Sequence, residues 1–315
     1  MAHNDWPRIA VVGAGAVGCY FGGMLARAGA PVTLIGRAPH VEAINRDGLF
    51  IDSIHFKENV SVSASTELEA VRDAQFVLFS VKTVDTENVA KLLAPYLAPE
   101  TIVVSFQNGV DNVERIDFAA GIQAIPAVVY IAVEMVGLGR VKHSGRGDVI
   151  VGDPSPNHGA SESDLAKIAT TFMRADVPCR ISENITAELW EKLIMNCAYN
   201  ALSALSRSRY GRIARDSGTV EVMKRVVNEA AAVGNAAGVK LSAEKMFAAV
   251  LKLGAEAMPE AVSSTAQDIA RGKPTEIDSL NGFLVRRGAE LVVPTPVNET
   301  LYSLVKLLER PASTR

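Results

Sequence analysis

The sequence predicts an α/β amino-terminal domain built on a doubly wound, mostly parallel sheet, followed by an all-helical carboxy-terminal domain. Three observations carry this. Short apolar, β-branched runs alternate with helical stretches as far as Ile181, the rhythm of strand–helix–strand units. A glycine-rich turn follows the first run directly, where such a sheet gives way to its first helix. Past Ser182 the strand signal stops, and Gly238, Pro259, Gly272 to Pro274 and Pro294 to Pro296 punctuate a nearly continuous helical pattern that runs to Glu309. The boundary is therefore expected near residue 183, which gives domains 1–183 and 184–315.

At 315 residues, 48% hydrophobic and 21% charged, the chain has material for two cores. A net charge of -3 offers no global attraction to nucleic acid or to an anionic membrane, so an anionic ligand would need local cations. Cys19, Cys179 and Cys197 are odd in number, widely spaced and set in apolar contexts, which fits buried thiols in a reducing compartment. No CxxC or HExxH occurs and the histidines do not cluster, so no metal is expected. Ile9 to Ala26 lacks charge and could pass for a membrane span, but its five glycines would weaken a lone helix. The polar start at His3, Asn4 and Asp5 argues against a signal peptide.

Taken in order, Arg8 to Val12 reads as a strand, Gly13-Ala14-Gly15-Ala16-Val17-Gly18 as the turn, Cys19 to Ala28 as a helix and Pro31 to Ile35 as the next strand. That is the context a GxGxxG dinucleotide fingerprint requires. Gly13 permits the tight turn, Gly15 lets backbone approach a diphosphate at the helix start, and Gly18 lets the helix pack closely on the strand. The second strand ends in Gly36-Arg37, with no carboxylate before Glu42. An acid there would accept ribose hydroxyls of NAD, whereas an arginine binds a 2′-phosphate, so NADPH is the expected cofactor.

Further strands are expected at Phe76 to Val81, Thr101 to Phe106, Ala124 to Met135, Arg140 to Gly152 and Val177 to Ile181, with a helix at Thr86 to Leu97. Lys82 and Gln107-Asn108-Gly109 follow two of these strands, at the carboxyl edge where such sheets bind ligands; Asn-Gly is equally a turn former and Lys82 equally an exposed loop charge. Asp153 to Ser163 reads as a loop.

The second domain opens with a helix whose polar residues are oddly placed. Lys192, Asn196 and Asn200 are spaced four apart and form one stripe among Leu189, Trp190, Leu193, Ile194, Met195, Cys197 and Leu202. Either the lysine snorkels to solvent, or the stripe is an active site in which burial lowers an ammonium pKa toward neutrality and two amides hold a polar substrate. Downstream, SSTAQDI at 263–269 and TEID at 275–278 gather hydroxyl, amide and carboxylate groups around a glycine–proline turn. They form a capped helix connection or, if Glu276 faces Lys192, an acid with its orienting anion.

These motifs together resemble the ketopantoate reductase (2-dehydropantoate 2-reductase) family, over essentially the whole chain. GAGAVG at 13–18, Arg37, Lys82, Gln107-Asn108-Gly109, Glu188 to Leu193, Asn196, Asn200, Ser264 and Thr275-Glu276-Ile277-Asp278 with Asn281-Gly282 carry the resemblance. It implies a Rossmann domain, a helical second domain, and NADPH-dependent reduction of a 2-keto acid to a 2-hydroxy acid in the cytoplasm. By that resemblance Lys192 is the general acid and Glu276 hydrogen-bonds the substrate. Asn108, Asn196, Asn200 and Ser264 position the substrate, while Gly13, Gly15, Ala16, Val17, Gly18, Arg37, Lys82 and Asn108 serve the cofactor. Where the family pattern has asparagines, three residues before the substrate serine and just before the glycine matching Gly211, this chain has Ala261 and Tyr210. Those departures bear on which keto acid is used.

Two other readings stand beside this one. A 3-hydroxyacid dehydrogenase also pairs a lysine with an asparagine four residues on, but it would bring a glycine-rich substrate loop that is absent here, and Arg37 opposes NAD. A non-catalytic NADPH sensor would keep the fold and need neither Lys192 nor Glu276. The sequence leaves room for a homodimer, since an apolar helix face that docks a second copy reads the same as one that docks the core.

Overall fold

The computed structural model describes residues 6–154 and 161–309. Two compact units divide the chain. One takes the residues up to Gln107 and from Asp111 to Ile185, the other those from Thr186 onward together with Asn108–Val110. The polar start at 3–5 and the middle of the expected 153–163 loop, residues 155–160, lie outside the described residues.

In the first unit the strands are β1 (Ile9–Val12), β2 (Val32–Ile35), β3 (Leu49–Asp52), β4 (Lys57–Val60), β5 (Ser63–Ser65), β6 (Phe76–Phe79), β7 (Ile102–Ser105), β8 (Ile125–Gly137), β9 (Arg140–Val151) and β10 (Cys179–Ile181). Its helices are α1 (Ala16–Arg27), α2 (Ala38–Asp47), α3 (Thr86–Leu93), α4 (Asn112–Ala120) and α5 (Glu162–Met173). The sheet order is β4-β3-β9-β8-β7-β6-β1-β2-β5, with β10 on β9. Pairing is parallel except for β3 with β4 and β8 with β9. The start of β8 runs parallel to β7, at Val104 with Ile125, and the rest folds back as a hairpin with β9.

The alternation of side chains along the central strands shows the sheet to be covered on both faces. Ile9, Val11, Phe76, Leu78 and Val104 point into a core with Cys19, Phe21 and Leu25 of α1. Ala10, Val12, Val77, Phe79 and Val103 point the other way, to Leu93 of α3 and Ile116 of α4. The α/β expectation holds, with local differences. Strands β3 to β5 are additions to the expected set: at three or four residues each they are too short to show a period, and β4 and β5 are polar besides. Helix α3 stops at Leu93 and passes into a 3₁₀ turn at Ala94–Tyr96, since Pro95 cannot donate to the helical ladder.

The second unit is helical: α6 (Ile185–Ser206), α7 (Tyr210–Ile213), α8 (Ser217–Ala236), α9 (Ala243–Lys252), α10 (Ser264–Ala270), α11 (Asn281–Glu290) and α12 (Pro296–Glu309). Leu193, Ile194, Cys197, Ala198, Tyr199 and Ala201 of α6 form its core with Val226 and Val227 of α8, Val250 of α9, Leu284 of α11 and Val305 of α12. Pro296 opens α12, and the Glu229 carboxylate accepts the amides of Val297 and Asn298, both at 2.9 Å. An anion is thereby set at the positive end of the helix. No helix among the described residues is long and apolar enough to cross a membrane.

Two histidines tie the first unit together. His143 on β9 is buried, with Nδ1 3.0 Å from Ser53 Oγ, Nε2 against the Arg146 carbonyl and the Tyr20 ring 4.4 Å away. His40 on α2 accepts the Gly139 amide at Nδ1, 2.9 Å away. Burial lowers both pKa values, against opposing contacts from the Arg146 and Ala14 carbonyls, and His55 adds to the lowering at His143. Unfolded histidine titrates near about 6.5, so below that pH the unfolded chain binds protons that the folded chain resists. Stability from these groups should be complete above this value and fall as pH drops below it. Calorimetry should show the unfolding midpoint declining from pH about 7 to about 5.5. His143→Asn should lower the midpoint at neutral pH and flatten the decline; an unchanged slope would remove His143 from this account.

Candidate functional site

The glycine turn of the first unit is fixed by its own backbone. The amides of Gly13 and Ala14 donate to the Ile35 carbonyl, at 3.0 and 2.9 Å, and Ser80 Oγ donates to the Gly13 carbonyl at 2.9 Å. Gly13 has φ +106°, and a Cβ there would lie 2.7 Å from the Ser80 backbone. A Cβ on Gly18 would press into the Gly13 carbonyl oxygen. The fold itself therefore needs both glycines. Gly15 is different: its φ of -83° suits any residue, and a Cβ there would meet nothing within 4 Å. What a side chain would fill at Gly15 is open space above the start of α1. That helix has no side-chain cap and no acidic residue in its first turn, so its first amides, those of Ala16 and Val17 included, face an anion-accepting position.

The end of β2 is brought against this turn. A Cβ on Gly36 would lie 2.7 Å from Ala14 Cβ, which leaves Arg37, exposed and at the cap position of α2, just beyond the turn. The Arg37 side chain makes no hydrogen bond or ion pair among the described residues. Lys82 is exposed where the chain leaves β6. Gln107 has a bracing role that sequence reading missed. It is buried and bonds the Thr86 hydroxyl at 2.7 Å and the Val81 carbonyl at 3.1 Å, linking the loops after β6 and β7.

In the second unit, the polar stripe of α6 grades inward. Lys192 and Asn196 are half-buried, and Asn200 is only 3% exposed. Asn108, lent to this unit by the loop after β7, donates through Nδ2 to Glu276 Oε2 at 3.0 Å. The structure thus joins two of the expected residues that lie 168 positions apart. Ser264 is exposed at the first position of α10, while its neighbour Ser263 is buried, caps α10 by accepting the Ala266 amide, and donates to the Asn200 carbonyl at 3.2 Å. A serine directly ahead of the helical run is the signal for that cap.

The two departures from the family pattern meet each other. The Tyr210 amide donates to the Ala261 carbonyl at 3.0 Å, and the Tyr210 ring stacks on Tyr199 with centroids 4.2 Å apart. Its hydroxyl lies 3.5 Å from Asn200 Oδ1, a long contact at the buried end of the stripe. Burial, with a smaller contribution from Tyr199, raises the Tyr210 pKa, so the phenol stays protonated.

Comparison with known proteins identifies the family. Residues 9–156 match the family described as ketopantoate reductase PanE/ApbA, and residues 184–309 match its C-terminal counterpart. A 2-dehydropantoate 2-reductase of Pyrococcus abyssi is 33% identical over 95% of this chain and 97% of its own length. One from Caulobacter vibrioides is 32% identical over 94% and 97%. The crystal structure of a PanE/ApbA family ketopantoate reductase from Ralstonia eutropha JMP134 superposes with a TM-score of 0.88 at 47% identity, over 96% of this chain and 98% of that one. A ternary structure of D-mandelate dehydrogenase with NADH and anilino(oxo)acetate shares the fold, with a TM-score of 0.89 at 24% identity over 96% and 98%. The 3-hydroxyacid dehydrogenase and sensor alternatives are not favoured by these matches, and a nicotinamide cofactor goes with the family. With the glycine turn, the α6 stripe and the TEID segment all in place, the chain belongs to the ketopantoate reductase family.

Proposed function

We propose that the protein reduces a 2-keto acid to the 2-hydroxy acid, 2-dehydropantoate to pantoate or a close analogue, with NADPH as reductant. The observation that carries this reading is the bonded Asn108–Glu276 pair in the same helical unit as the Lys192, Asn196 and Asn200 stripe. The open space at Gly15 suits a diphosphate, and Arg37 beside the turn suits a 2′-phosphate better than a ribose hydroxyl.

NADPH, when bound, supplies the hydride to the keto carbon. Negative charge then builds on the substrate oxygen, and the Lys192 ammonium stabilises it and donates the proton. Glu276, held by Asn108, accepts a hydrogen bond from the hydroxyl being formed. Asn196, Asn200 and Ser264 position the substrate, and amides rather than an arginine pair receive its carboxylate. Lys82 and the first amides of α1 hold the cofactor phosphates. A panel of 2-keto acids assayed by nicotinamide absorbance with NADPH and with NADH tests the whole reading; no turnover of any member would end it.

The charge-assisted contact from Arg37 is expected to be worth roughly 1.5 to 3 kcal/mol, so Arg37→Ala should weaken NADPH about tenfold to a hundredfold and leave NADH nearly unchanged. Equal losses for both cofactors would rule it out. Restoring asparagine at Tyr210 and Ala261 together should raise kcat/KM for 2-dehydropantoate, because the two positions are bonded to each other and border Asn200. If the double variant gains nothing, they do not border the substrate. For Lys192, kcat for reduction should fall as pH rises through its pKa, while the reverse oxidation gains over the same range. Lys192→Ala should abolish that limb and lower kcat by roughly a hundredfold, with NADPH affinity little altered. Retention of most turnover with the same pH profile would make it a snorkelling side chain.

A further inference from the structure

Glu276 stands in a stretch that no regular element supports. Helix α10 ends at Ala270, Gly272 turns the chain at φ +62°, and only a single 3₁₀ turn, Ile277–Ser279, follows. Both flanks of Glu276 are nevertheless tied down, by Arg286 of α11, which donates to the Asp278 carbonyl at 2.8 Å, and by one face of α12. The Thr275 amide and hydroxyl both donate to Glu309 Oε1, at 2.8 and 2.6 Å, and Thr275 Oγ1 in turn accepts the Ile277 amide at 3.2 Å. On the other flank, Asp278 Oδ1 accepts from the Tyr302 hydroxyl at 2.7 Å and Oδ2 from Lys306 at 2.9 Å. Lys306 also bridges to Glu309 Oε2 at 2.7 Å, which closes the set. Tyr302, Lys306 and Glu309 are spaced four and three apart, so they share a helix face.

The Glu309 end of this set is sheltered, while the Asp278 end is open, its side chain half exposed. The Glu309 side chain is 13% exposed. Burial pushes its carboxyl up, but the bonds from Lys306 and Thr275 outweigh this and hold it below the usual range, so it stays ionised. The same logic keeps Asp278 ionised: burial opposes, and Lys306 and Tyr302 prevail. With Ile277 fully buried beneath it, the backbone at 275–278 has little freedom, and the Glu276 carboxylate is presented to Asn108 in one orientation.

We infer that Glu309, with Lys306 and Tyr302, is a positioning device for the substrate-bonding carboxylate of Glu276. This rests on the role proposed above for Glu276. A loosened clamp would let that carboxylate wander by a fraction of an ångström to an ångström, which affects the chemical step more than the binding of the cofactor. Glu309→Ala should therefore lower kcat for 2-dehydropantoate about tenfold while KM for NADPH changes by less than about twofold. Glu309→Gln, which keeps an acceptor for Thr275, should recover most of the loss.

The decisive comparison is the same pair of variants made in Glu276→Gln. A residue that acts through Glu276 has nothing left to position there, so Glu309→Ala should cost less than about twofold more. Full turnover in Glu309→Ala, or an equal loss in both backgrounds, overturns the inference. If Glu309→Ala does not fold, Tyr302→Phe carries the test, removing a single bond to Asp278; its loss of about threefold should vanish in Glu276→Gln, and no loss at all overturns the clamp. A Glu276→Gln enzyme with normal turnover would instead sink the role of Glu276 itself, and the clamp with it.

Discussion

Almost every face of α6 is covered, and that single constraint organises the second unit. A helix with Leu193, Ile194, Cys197, Ala198, Tyr199 and Ala201 all packed in the core has no ordinary solvent face on which to put polar groups. Lys192 and Asn196 stand half-buried, and Asn200 lies deeper still. Amides and ammonium groups in such surroundings lose hydration that must be replaced by partners. The stripe is therefore kept polar against the trend of the helix around it. Tyr210 and Ser263 gather around its deep end, and the chain that carries Glu276 belongs to the same unit.

The first unit follows from a different constraint, that a sheet covered on both faces exposes function only at its edges. Side chains along β1, β6 and β7 are consumed alternately by two cores, so chemistry is left to the loops where the strands end. Those loops are knitted to one another before any ligand is considered. Ser80 holds the Gly13 carbonyl, Gly36 abuts Ala14, and Gln107 spans from Val81 to Thr86. Of the three glycines in the turn, two answer to the packing of the protein and only Gly15 has space in front of it. That separation of duties is invisible in the motif itself.

What could be read from the sequence and what could not divide along physical lines. Long periodic elements were legible. The α6 helix, the βαβ start and the change of character past Ser182 all rest on patterns of ten residues or more, and the placement of apolar side chains enforces them. Strands β3 to β5 were not, because three or four side chains are too few to show a period, and those of β4 and β5 are polar as well. At the site, residue types with spare polar groups announced themselves, but their partners did not. Nothing local links Asn108 to Glu276 or Thr275 to Glu309, since such contacts depend on how elements pack and not on spacing along the chain. Ser263 and Ser264 show the finer limit: adjacent identical residues take opposite roles, one buried as a cap and one exposed, and only the backbone direction at the start of α10 decides between them.

The family's chemistry and this chain's choice of substrate are encoded in different places. In the reaction proposed above, Lys192 is the acid and Glu276 the hydrogen-bonding anion, and any 2-keto acid presents the same carbonyl and carboxylate. On that proposal, selection among keto acids comes from contacts to the remaining carbons, and the proposed place for it is where Tyr210 and Ala261 stand with a ring and a methyl instead of the amide-bearing residues of the family pattern. The backbone bond between them makes the two positions one local structure, while the stacking of Tyr210 on Tyr199 fixes the ring. Exchanging two amides for an aromatic ring and a methyl removes hydrogen-bond partners and adds apolar surface at the same spot. A hydrogen-bonding pocket discriminates strongly against a ligand that leaves its polar groups unpaired, whereas an apolar one grades ligands by size with far less rigour. On the proposed reading, substrate preference turns on the ground around Asn200, and it can shift without disturbing the polar stripe that begins at Lys192.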